Sequence, residues 1–401
     1  MSKVYIVAAK RTAVGKFLGA IANVSAADLA STVIKNILAE TKIDPSKLDE
    51  VIVGNILMAG QKQGIARQAA VNAGIPAEVP AYGVNMICGS GMKSIINAVS
   101  SIKAGEANLI LAGGTESMSG AGFVLPGSVR NGYKMGNIAA VDHMVTDGLT
   151  DAFEGYHMGI TAENIADKYN LTREEQDAFA YASQQKAAAA IDAGRFKEEI
   201  VPVEVVTRRE TTFFDTDEFV NRTTNPEKLA KLRPAFKKDG TVTAGNASGI
   251  NDGASFVLVA SEEAVAKYGL TPLAEIIASG QGGVDPSIMG MGPVPAIANA
   301  LKKAGMKLTD IEVLELNEAF SAQSLGVIKQ LCQDHGVTAD WFTKNCNLNG
   351  GAIALGHPIG ASGNRITVSL IHEMKRSGKS IGMASLCIGG GMGTALILKK
   401  V

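Results

Sequence analysis

A turn of small residues followed by a helix and a buried strand occurs twice in this chain, and this repeat constrains the fold most. In the first copy, small residues at 89–91 open a predicted helix, and an apolar strand at 109–113 follows. In the second copy, the turn lies at 362–363 and the strand at 381–386. The same order in both halves predicts an internal duplication. Chance recurrence among ordinary α/β units is the alternative explanation.

Short apolar runs alternate with segments of helical periodicity, which is typical of an α/β protein with buried parallel strands. The strands are predicted at residues 4–9, 50–55, 109–113, 255–260, 312–317, 381–386 and 394–399. The helices are predicted at residues 26–40, 64–73, 90–104, 161–169, 172–193, 294–304 and 363–376. Thr172 and Glu175 have the spacing of a capping box at the start of one of these helices.

A stretch of different character separates the two halves. Residues 120–249 contain Met-rich loops, two predicted helices and a polar segment, which indicates an insertion with ligand-binding loops. We therefore expect an N-terminal half at 1–119 that is completed by about 250–270, a loop domain at 120–249, and a C-terminal half at 271–401.

The composition excludes several classes of function. The 38 basic and 39 acidic residues balance, so no overall field favours nucleic acid or an anionic membrane. We find no apolar stretch of 18 residues, so a membrane span is not expected. Four cysteines do not form a disulfide framework. With no targeting pattern before the first strand, these features predict a cytoplasmic protein.

Cys88 is the leading candidate for a nucleophile. A strand-like run leads to it and a predicted helix begins just after it, so the positive end of the helix dipole is expected to lower the pKa of its thiol. Gly89 and Gly91 are expected to let an acyl group approach and to free backbone N–H groups as oxyanion donors. The alternative is that Cys88 is a small buried hydrophobic residue.

His357 and Cys387 are the candidate acid/base groups. His357 lies between glycine-rich turns beside Pro358, where its imidazole can take the proton of Cys88. Cys387 ends a predicted strand before a run of glycines and suits proton transfer at a carbon next to a thioester. A structural role is the alternative for each residue. A zinc site of both cysteines and His357 is a weaker alternative, because the close ligand pairs typical of zinc are missing.

Asn317 directly follows the apolar run at 312–316, at the end of a predicted strand. A side chain at the carboxyl end of such a strand points toward the usual ligand crevice of an α/β fold. Its amide can hold a water that donates to a thioester oxygen. Taken alone this pattern is weak, because Asn commonly ends strands.

Eight runs together resemble the thiolase superfamily, in particular its biosynthetic acetoacetyl-CoA thiolases, over essentially the whole chain. They lie at residues 10–15, 85–91, 113–118, 159–164, 243–249, 317–320, 350–358 and 387–391. The resemblance implies a duplicated αβαβα layered fold with an inserted loop domain that binds coenzyme A. It also implies an acyltransferase that condenses two acetyl-CoA to acetoacetyl-CoA and CoA, reversibly, with no cofactor and no metal.

The resemblance assigns roles to the candidate residues. Cys88 becomes acetylated, with His357 as its activating base, and Cys387 removes a proton from the methyl group of the second acetyl-CoA for a Claisen condensation. Asn317, through a water, and His357 form one oxyanion hole. The backbone N–H groups of Cys88 and Gly389 form the other.

The resemblance also implies a binding site for coenzyme A and a homotetramer built as a dimer of dimers. The residues expected to contact coenzyme A are His157, Met158, Arg222, Lys228, Ser248, Met289, Ala319 and Phe320. The arginine that the family places near the adenine is displaced by one position here, at Arg222. The alternatives are a degradative 3-ketoacyl-CoA thiolase of broader chain length and a non-catalytic acyl-CoA-binding protein.

Overall fold

The computed structural model describes residues 3–401. The strands are β1 (Val4–Thr12), β2 (Gly15–Lys16), β3 (Glu50–Gly54), β4 (Ala81–Val84), β5 (Leu109–Ser117), β6 (Phe123–Val124), β7 (Val141–Asp142), β8 (Ile200–Val201), β9 (Val203–Val206), β10 (Thr211–Phe214), β11 (Asn251–Ser261), β12 (Ala274–Gly283), β13 (Val313–Leu316), β14 (Ile381–Ile388) and β15 (Met392–Lys400). The helices are α1 (Ala26–Thr41), α2 (Ile65–Asn72), α3 (Ser90–Ala104), α4 (Met158–Tyr169), α5 (Arg173–Asp192), α6 (Pro226–Ala230), α7 (Glu262–Tyr268), α8 (Pro293–Ala304), α9 (Ser321–His335), α10 (Ala339–Asn345), α11 (Ala352–Leu355) and α12 (Ile359–Ser377).

The strand order shows two matching halves. One half reads β1-β11-β5-β3-β4 and the other reads β12-β15-β14-β13, and short pairing between β1 and β12 joins them. An isolated parallel bridge between Leu314 and Cys346 takes the place that β4 has in the first half. The same order on both sides of the junction supports the predicted duplication.

Three apolar cores separate five layers of structure. Helices α3 and α12 pack against each other between the two halves of the sheet, and their apolar side chains share one core with both. On the outer faces, α1 and α2 cover the first half, and α8 and α9 cover the second. This αβαβα arrangement confirms the predicted fold class.

The predicted parallel sheet is only partly correct. Parallel pairing is limited to β3 with β4 and β5, and to β13 with β14 among the long strands. The longest ladders, such as β11 with β5 and β12 with β15, are antiparallel. The apolar runs misled the prediction because a strand covered on both faces is apolar whatever its partner's direction.

The local predictions of elements agree well with the structure. The helix over 90–104 is found with both bounds as predicted, and Thr172 and Glu175 form the predicted capping box. Strand β12 has no counterpart among the predicted strands, because five of its ten residues are Gly, Ser or Gln. No helix in the described part of the chain is both long and apolar enough to cross a membrane.

Candidate active site

One apolar cavity of about 460 Å³ brings together residues that are distant in the sequence. It is lined by residues of both halves and of the segment at 120–249. Ten of the predicted site residues line it: Cys88, His157, Met158, Ser248, Met289, Ala319, Phe320, His357, Cys387 and Gly389. Both thiols and the imidazole therefore face one space, as the sequence predicted.

A strained turn between β4 and α3 presents Cys88. Ile87 has φ +43°, a left-handed conformation that is rare for a β-branched residue. The turn is held by Ser90, whose hydroxyl accepts from Met86 N at 2.8 Å and donates to Ile87 O at 2.6 Å. Strain that the surroundings fix in this way is common at functional sites.

The pKa of the Cys88 thiol differs from the prediction. Burial, with a smaller contribution from the charge of Glu116, raises it to about 11. The backbone N–H groups of Gly389 and of Cys88 itself lie within hydrogen-bonding reach of the sulfur and act in the opposite direction. The expected lowering by the helix is thus outweighed by desolvation in the resting site.

Gly89 and Gly91 lie where the backbone packs closely against other elements. A Cβ on Gly89 would lie 2.3 Å from Ile388 Cδ1, and one on Gly91 would lie 2.8 Å from the carbonyl oxygen of Gly360. These glycines therefore let α3 approach β14 and α12 closely. The sequence could not separate this purpose from substrate access.

Ser362 fixes the tautomer of His357. The Ser362 hydroxyl donates to Pro358 O at 2.9 Å and lies 2.5 Å from His357 Nδ1. Because its one hydrogen is already used, Ser362 Oγ accepts from Nδ1–H, and Nε2 keeps a lone pair. Burial and the charge of Arg365 lower the pKa of His357 to about 3, so the imidazole is neutral and able to accept a proton.

Asn251 supports the backbone before His357. Its side-chain oxygen accepts from His357 N at 2.9 Å, and its amide donates to Gly15 O at 2.9 Å. Gly356 has φ +105°, and a Cβ there would lie 2.5 Å from the Asn251 side chain. We did not predict a role for Asn251, because its contact with His357 spans 106 residues of sequence.

Cys387 is the penultimate residue of β14, and Gly389 begins the tight turn from β14 to β15. Gly390 and Gly391 have φ +84° and +86°, which glycine tolerates and which lets the two strands pair on either side. Cys387 is 1% exposed. Burial, with a smaller contribution from Cys88, raises the pKa of its thiol, so Cys387 is protonated in the resting site.

Asn317 directly follows β13 and is fully buried beside the cavity rather than among the residues that line it. Within residues 3–401 its Nδ2 has no hydrogen-bond partner. Its Oδ1 is 3.5 Å from Arg365 Nη2. A buried amide donor without a protein partner fits the predicted contact through a water.

Aromatic and sulfur-containing side chains form the wall of the cavity. Phe236, which we did not predict, stacks on His157 with ring centroids 4.6 Å apart and meets Phe320 edge to face. His157 Nδ1 accepts from Gly159 N at 3.0 Å, so the ring proton is on Nε2. The Met158 sulfur is 3.7 Å from the position a Cβ on Gly389 would take. This wall narrows the space next to the two thiols.

Two predicted ligands of coenzyme A lie outside the residues that line the cavity. Arg222 forms an exposed ion pair with Asp192, at 2.8 Å. Lys228 donates to Thr223 O at 2.6 Å. No grouping of three or more His, Cys, Asp or Glu side chains in residues 3–401 can hold a metal ion, so the zinc alternative gains no support.

Comparison with known families gives the same result along the whole chain. The family described as thiolase, N-terminal domain, matches residues 4–263, and thiolase, C-terminal domain, matches residues 270–400. The chain belongs to the thiolase family. The predicted membership is confirmed, and the eight quoted runs are distributed over both matched regions.

Curated relatives match this thiolase over their full length. It is 54% identical to an acetyl-CoA acetyltransferase of Chromobacterium violaceum over 99% of this chain and 100% of the relative. It is 52% identical to the acetyl-CoA acetyltransferase of Escherichia coli, over 100% of both chains.

Solved structures share the fold closely. The Bacillus anthracis acetyl-CoA acetyltransferase has a TM-score of 0.94 at 42% identity, covering 100% of this chain and 99% of that one. Human mitochondrial 3-ketoacyl-CoA thiolase in complex with CoA has a TM-score of 0.93 at 46% identity, covering 100% and 98%. The fold is therefore common to both kinds of thiolase.

Proposed function

We propose that this thiolase is an acetyl-CoA C-acetyltransferase, which condenses two acetyl-CoA to acetoacetyl-CoA and CoA and catalyses the reverse thiolysis. The observation that supports this most is the convergence of Cys88, Cys387 and His357 on one apolar cavity. The relatives named acetyl-CoA acetyltransferase, 50–54% identical over nearly the whole chain, support the choice of reaction.

In the first stage, the Cys88 sulfur attacks the thioester carbonyl carbon of acetyl-CoA. His357 Nε2 takes the thiol proton as the carbon–sulfur bond forms, because a thiol with a pKa of about 11 is protonated before the attack. The N–H groups of Cys88 and Gly389 stabilise the oxyanion. The bond to CoA then breaks, and the acetyl group remains on Cys88.

In the second stage, Cys387 acts as the base. Because its pKa is raised, Cys387 is a thiol at the start of the reaction. At the end of the first stage it therefore protonates the departing CoA thiolate. The resulting Cys387 thiolate removes a proton from the methyl group of the second acetyl-CoA. The carbanion attacks the acetyl carbon on Cys88, and the Cys88 sulfur leaves with the proton held by His357.

Asn317 and His357 stabilise the enolate of the second acetyl-CoA. The unpartnered Nδ2 of Asn317 donates to a water, which donates to the thioester oxygen. Imidazolium Nε2–H of His357 is the second donor, since the proton from Cys88 resides there in this stage. The fixed proton on Nδ1 leaves Nε2 free for both tasks.

The pantetheine arm of coenzyme A passes along the apolar wall. Ser248, His157 and Met289 contact it there, together with Ala319 and Phe320, which all line the cavity. Arg222 and Lys228 contact the phosphates at the surface. Arg222 must exchange its partner Asp192 for a phosphate. Breaking this ion pair costs little free energy, because an exposed ion pair contributes little to stability.

Short acyl chains fit this cavity best. Met158 lies against the Gly389 turn and Met289 is buried in the same wall, so few methylene groups fit beside the reactive carbon. The alternative is a 3-ketoacyl-CoA thiolase of broader chain length. The 46% identity to human mitochondrial 3-ketoacyl-CoA thiolase keeps this alternative open.

The enzyme assembles as a homotetramer in the cytoplasm. Among residues 3–401, strand β4 ends the sheet and pairs with β3 on one side, so its other edge can receive a second copy. The β6–β7 hairpin exposes apolar side chains, among them Phe123 and Met135 at 71% and 92%. Exposed apolar surface of this kind marks association sites. Light scattering of the purified protein measures the assembly.

The similarity to bacterial relatives supports a cytoplasmic location.

A steady-state assay of thiolysis with 3-ketoacyl-CoA substrates of increasing chain length tests the proposal. We expect kcat/KM to be highest for acetoacetyl-CoA and to fall about tenfold or more when two methylene groups are added. A flat profile would favour the degradative alternative. Binding of acyl-CoA without turnover or acetylation would favour the non-catalytic one.

A further inference from the structure

Glu116 is a fully buried carboxyl group that the proposed reaction does not use. It lies on β5 with no exposed surface. Its Oε1 accepts from Asn55 Nδ2 at 2.8 Å and Leu57 N at 3.1 Å, and its Oε2 accepts from Ile56 N at 3.1 Å and Gly360 N at 3.0 Å. Burial raises the pKa of Glu116 to about 7, and the N–H groups of Leu57, Ile56 and Gly360 act in the opposite direction. All four partners are donors, so their hydrogen bonds favour the carboxylate, which accepts and does not donate.

Three of these bonds lie within the first half, and the bond from Gly360 N joins that half to the second. Ile56 and Leu57 share a small apolar core with Ile87 and Cys88, so they support the turn of the nucleophile. Gly360 lies in the first turn of α12, three residues after His357. The carboxylate therefore connects the support of the nucleophile to the start of the helix that follows the base.

Gly360 packs so closely against β5 that a larger residue would not fit. A Cβ on Gly360 would lie 2.6 Å from Glu116 Oε2 and 2.7 Å from Thr115 O. The N–H of Gly360 is one of the free donors of a helix N-terminus, where a negative charge is favoured. The close approach and the charge act together to fix the first turn of α12.

We propose that Glu116 is a positioning residue, whose carboxylate holds the His357 loop against the Cys88 turn at the distance that proton transfer requires. This proposal rests on the roles proposed for Cys88 and His357. Glu116 itself touches neither substrate nor reacting atoms. The negative charge of Glu116 raises the pKa of Cys88. Glu116 therefore makes the thiol less acidic while it holds His357 in position.

Glu116→Gln tests the proposal. The amide keeps the shape but turns one acceptor into a donor, which opposes two of the four N–H groups whichever way it is oriented. We expect kcat to fall about 30-fold with KM changed less than twofold, because transition-state geometry is lost and binding is kept. Hydrogen exchange in a peptide covering residues 357–363 should become at least about tenfold faster.

A second readout separates positioning from a general loss of structure. Removing the charge of Glu116 should move the pH profile for alkylation of Cys88 by iodoacetamide to lower pH, although kcat falls. A purely structural role would lower alkylation and turnover together, and that result would overturn the proposal. Alkylation and hydrogen exchange need no acetyl-CoA, so they remain informative if the proposed reaction fails.

Asp49→Asn is the matched control. Asp49 Oδ2 accepts from Asn108 N at 2.7 Å and Leu109 N at 2.8 Å, at the opposite end of the same strand β5. We expect kcat within twofold of the wild type and unchanged exchange at 357–363. If Glu116→Gln does not fold, Glu116→Asp keeps the ionised acceptor. A reduced kcat with an unchanged alkylation profile in that variant supports the proposal, and a kcat within twofold in either variant overturns it.

Discussion

The two halves of the molecule have the same strand order but contribute different chemistry. Cys88 and His357 each lie two residues before a central helix, α3 in the first half and α12 in the second. One position became a thiol on a strained turn, and the other an imidazole with a fixed tautomer. A duplicated scaffold thus brings two equivalent loops to one cavity, and the side chains on those loops have different roles in the proposed reaction.

The asparagines that follow β3 in the first half and β13 in the second make the same contrast. Asn55 directly follows β3 and Asn317 directly follows β13, and both are buried. Asn55 Nδ2 is occupied by Glu116 and by Thr115 O, at 2.8 and 3.1 Å. Asn317 Nδ2 has no protein partner in residues 3–401. One amide therefore holds the structure, and the other is available to a ligand.

The largest expected effect concerns the nucleophile of the first half. Cys88→Ala should abolish transfer of radioactive acetyl from acetyl-CoA to the protein and lower kcat by at least about 10⁴-fold, because no covalent intermediate forms. Acid-quenched protein counted after gel filtration measures it. Retained label on another residue would contradict the assignment of the two halves.

Cys387→Ser in the second half should separate the two stages. The protein should still acetylate at Cys88, while condensation falls about 10³-fold, because a hydroxyl group is a far weaker carbon base than a thiolate. Acetyl labelling and acetoacetyl-CoA formation are measured on the same preparation. Equal losses in both stages would mean that the thiols do not divide the reaction as proposed.

The paired asparagines give a direct comparison of the halves. Asn317→Ala should lower condensation about 100-fold with little change in thermal stability, as expected for an oxyanion donor. Asn55→Ala should instead lower the free energy of unfolding by about 1–3 kcal/mol, because buried donors and acceptors lose partners. Enzyme assays and thermal unfolding of both variants measure this. The reverse pattern would show that the contrast between the amides is wrong.

The pH dependence of Cys88 alkylation tests whether the thiol has transferred its proton to His357 before substrate binds. With a pKa raised to about 11, the thiolate fraction, and with it the iodoacetamide reaction, should rise about tenfold per pH unit between pH 7 and 10. His357, with its pKa lowered to about 3, stays neutral over this range. Peptide mass spectrometry follows the reaction at Cys88. A rate that is constant over this range would indicate a preformed thiolate–imidazolium pair.

Met158→Ala gives the smallest expected effect. Removing the side chain beside Gly389 should raise kcat/KM for a six-carbon 3-ketoacyl-CoA about fivefold relative to acetoacetyl-CoA, because one or two methylene groups gain room. Cys332→Ala is the control, because Cys332 is a partly buried residue of α9 that does not line the cavity. An unchanged ratio would mean that chain length is set elsewhere in the wall.

Local sequence patterns predicted the elements because helix periodicity and caps depend on residues within a few positions. Helix α3 and the capping box of α5 are examples. Ten of the predicted site residues line one cavity, and each reactive side chain lies near the start or end of a predicted element. Phe236, Asn251 and Ser362 were given no roles, because their contacts with the site became apparent only in the folded chain.

The sequence by itself determined which reactive groups the chain carries, the turns they lie on and the family it belongs to. The tertiary structure decided strand direction, the packing purpose of Gly89 and Gly91, and the raised pKa of Cys88. These properties depend on burial and on groups hundreds of residues away, such as Gly360 against Glu116. Desolvation and long-range hydrogen bonds exist only after the two halves have come together, so no local pattern encodes them.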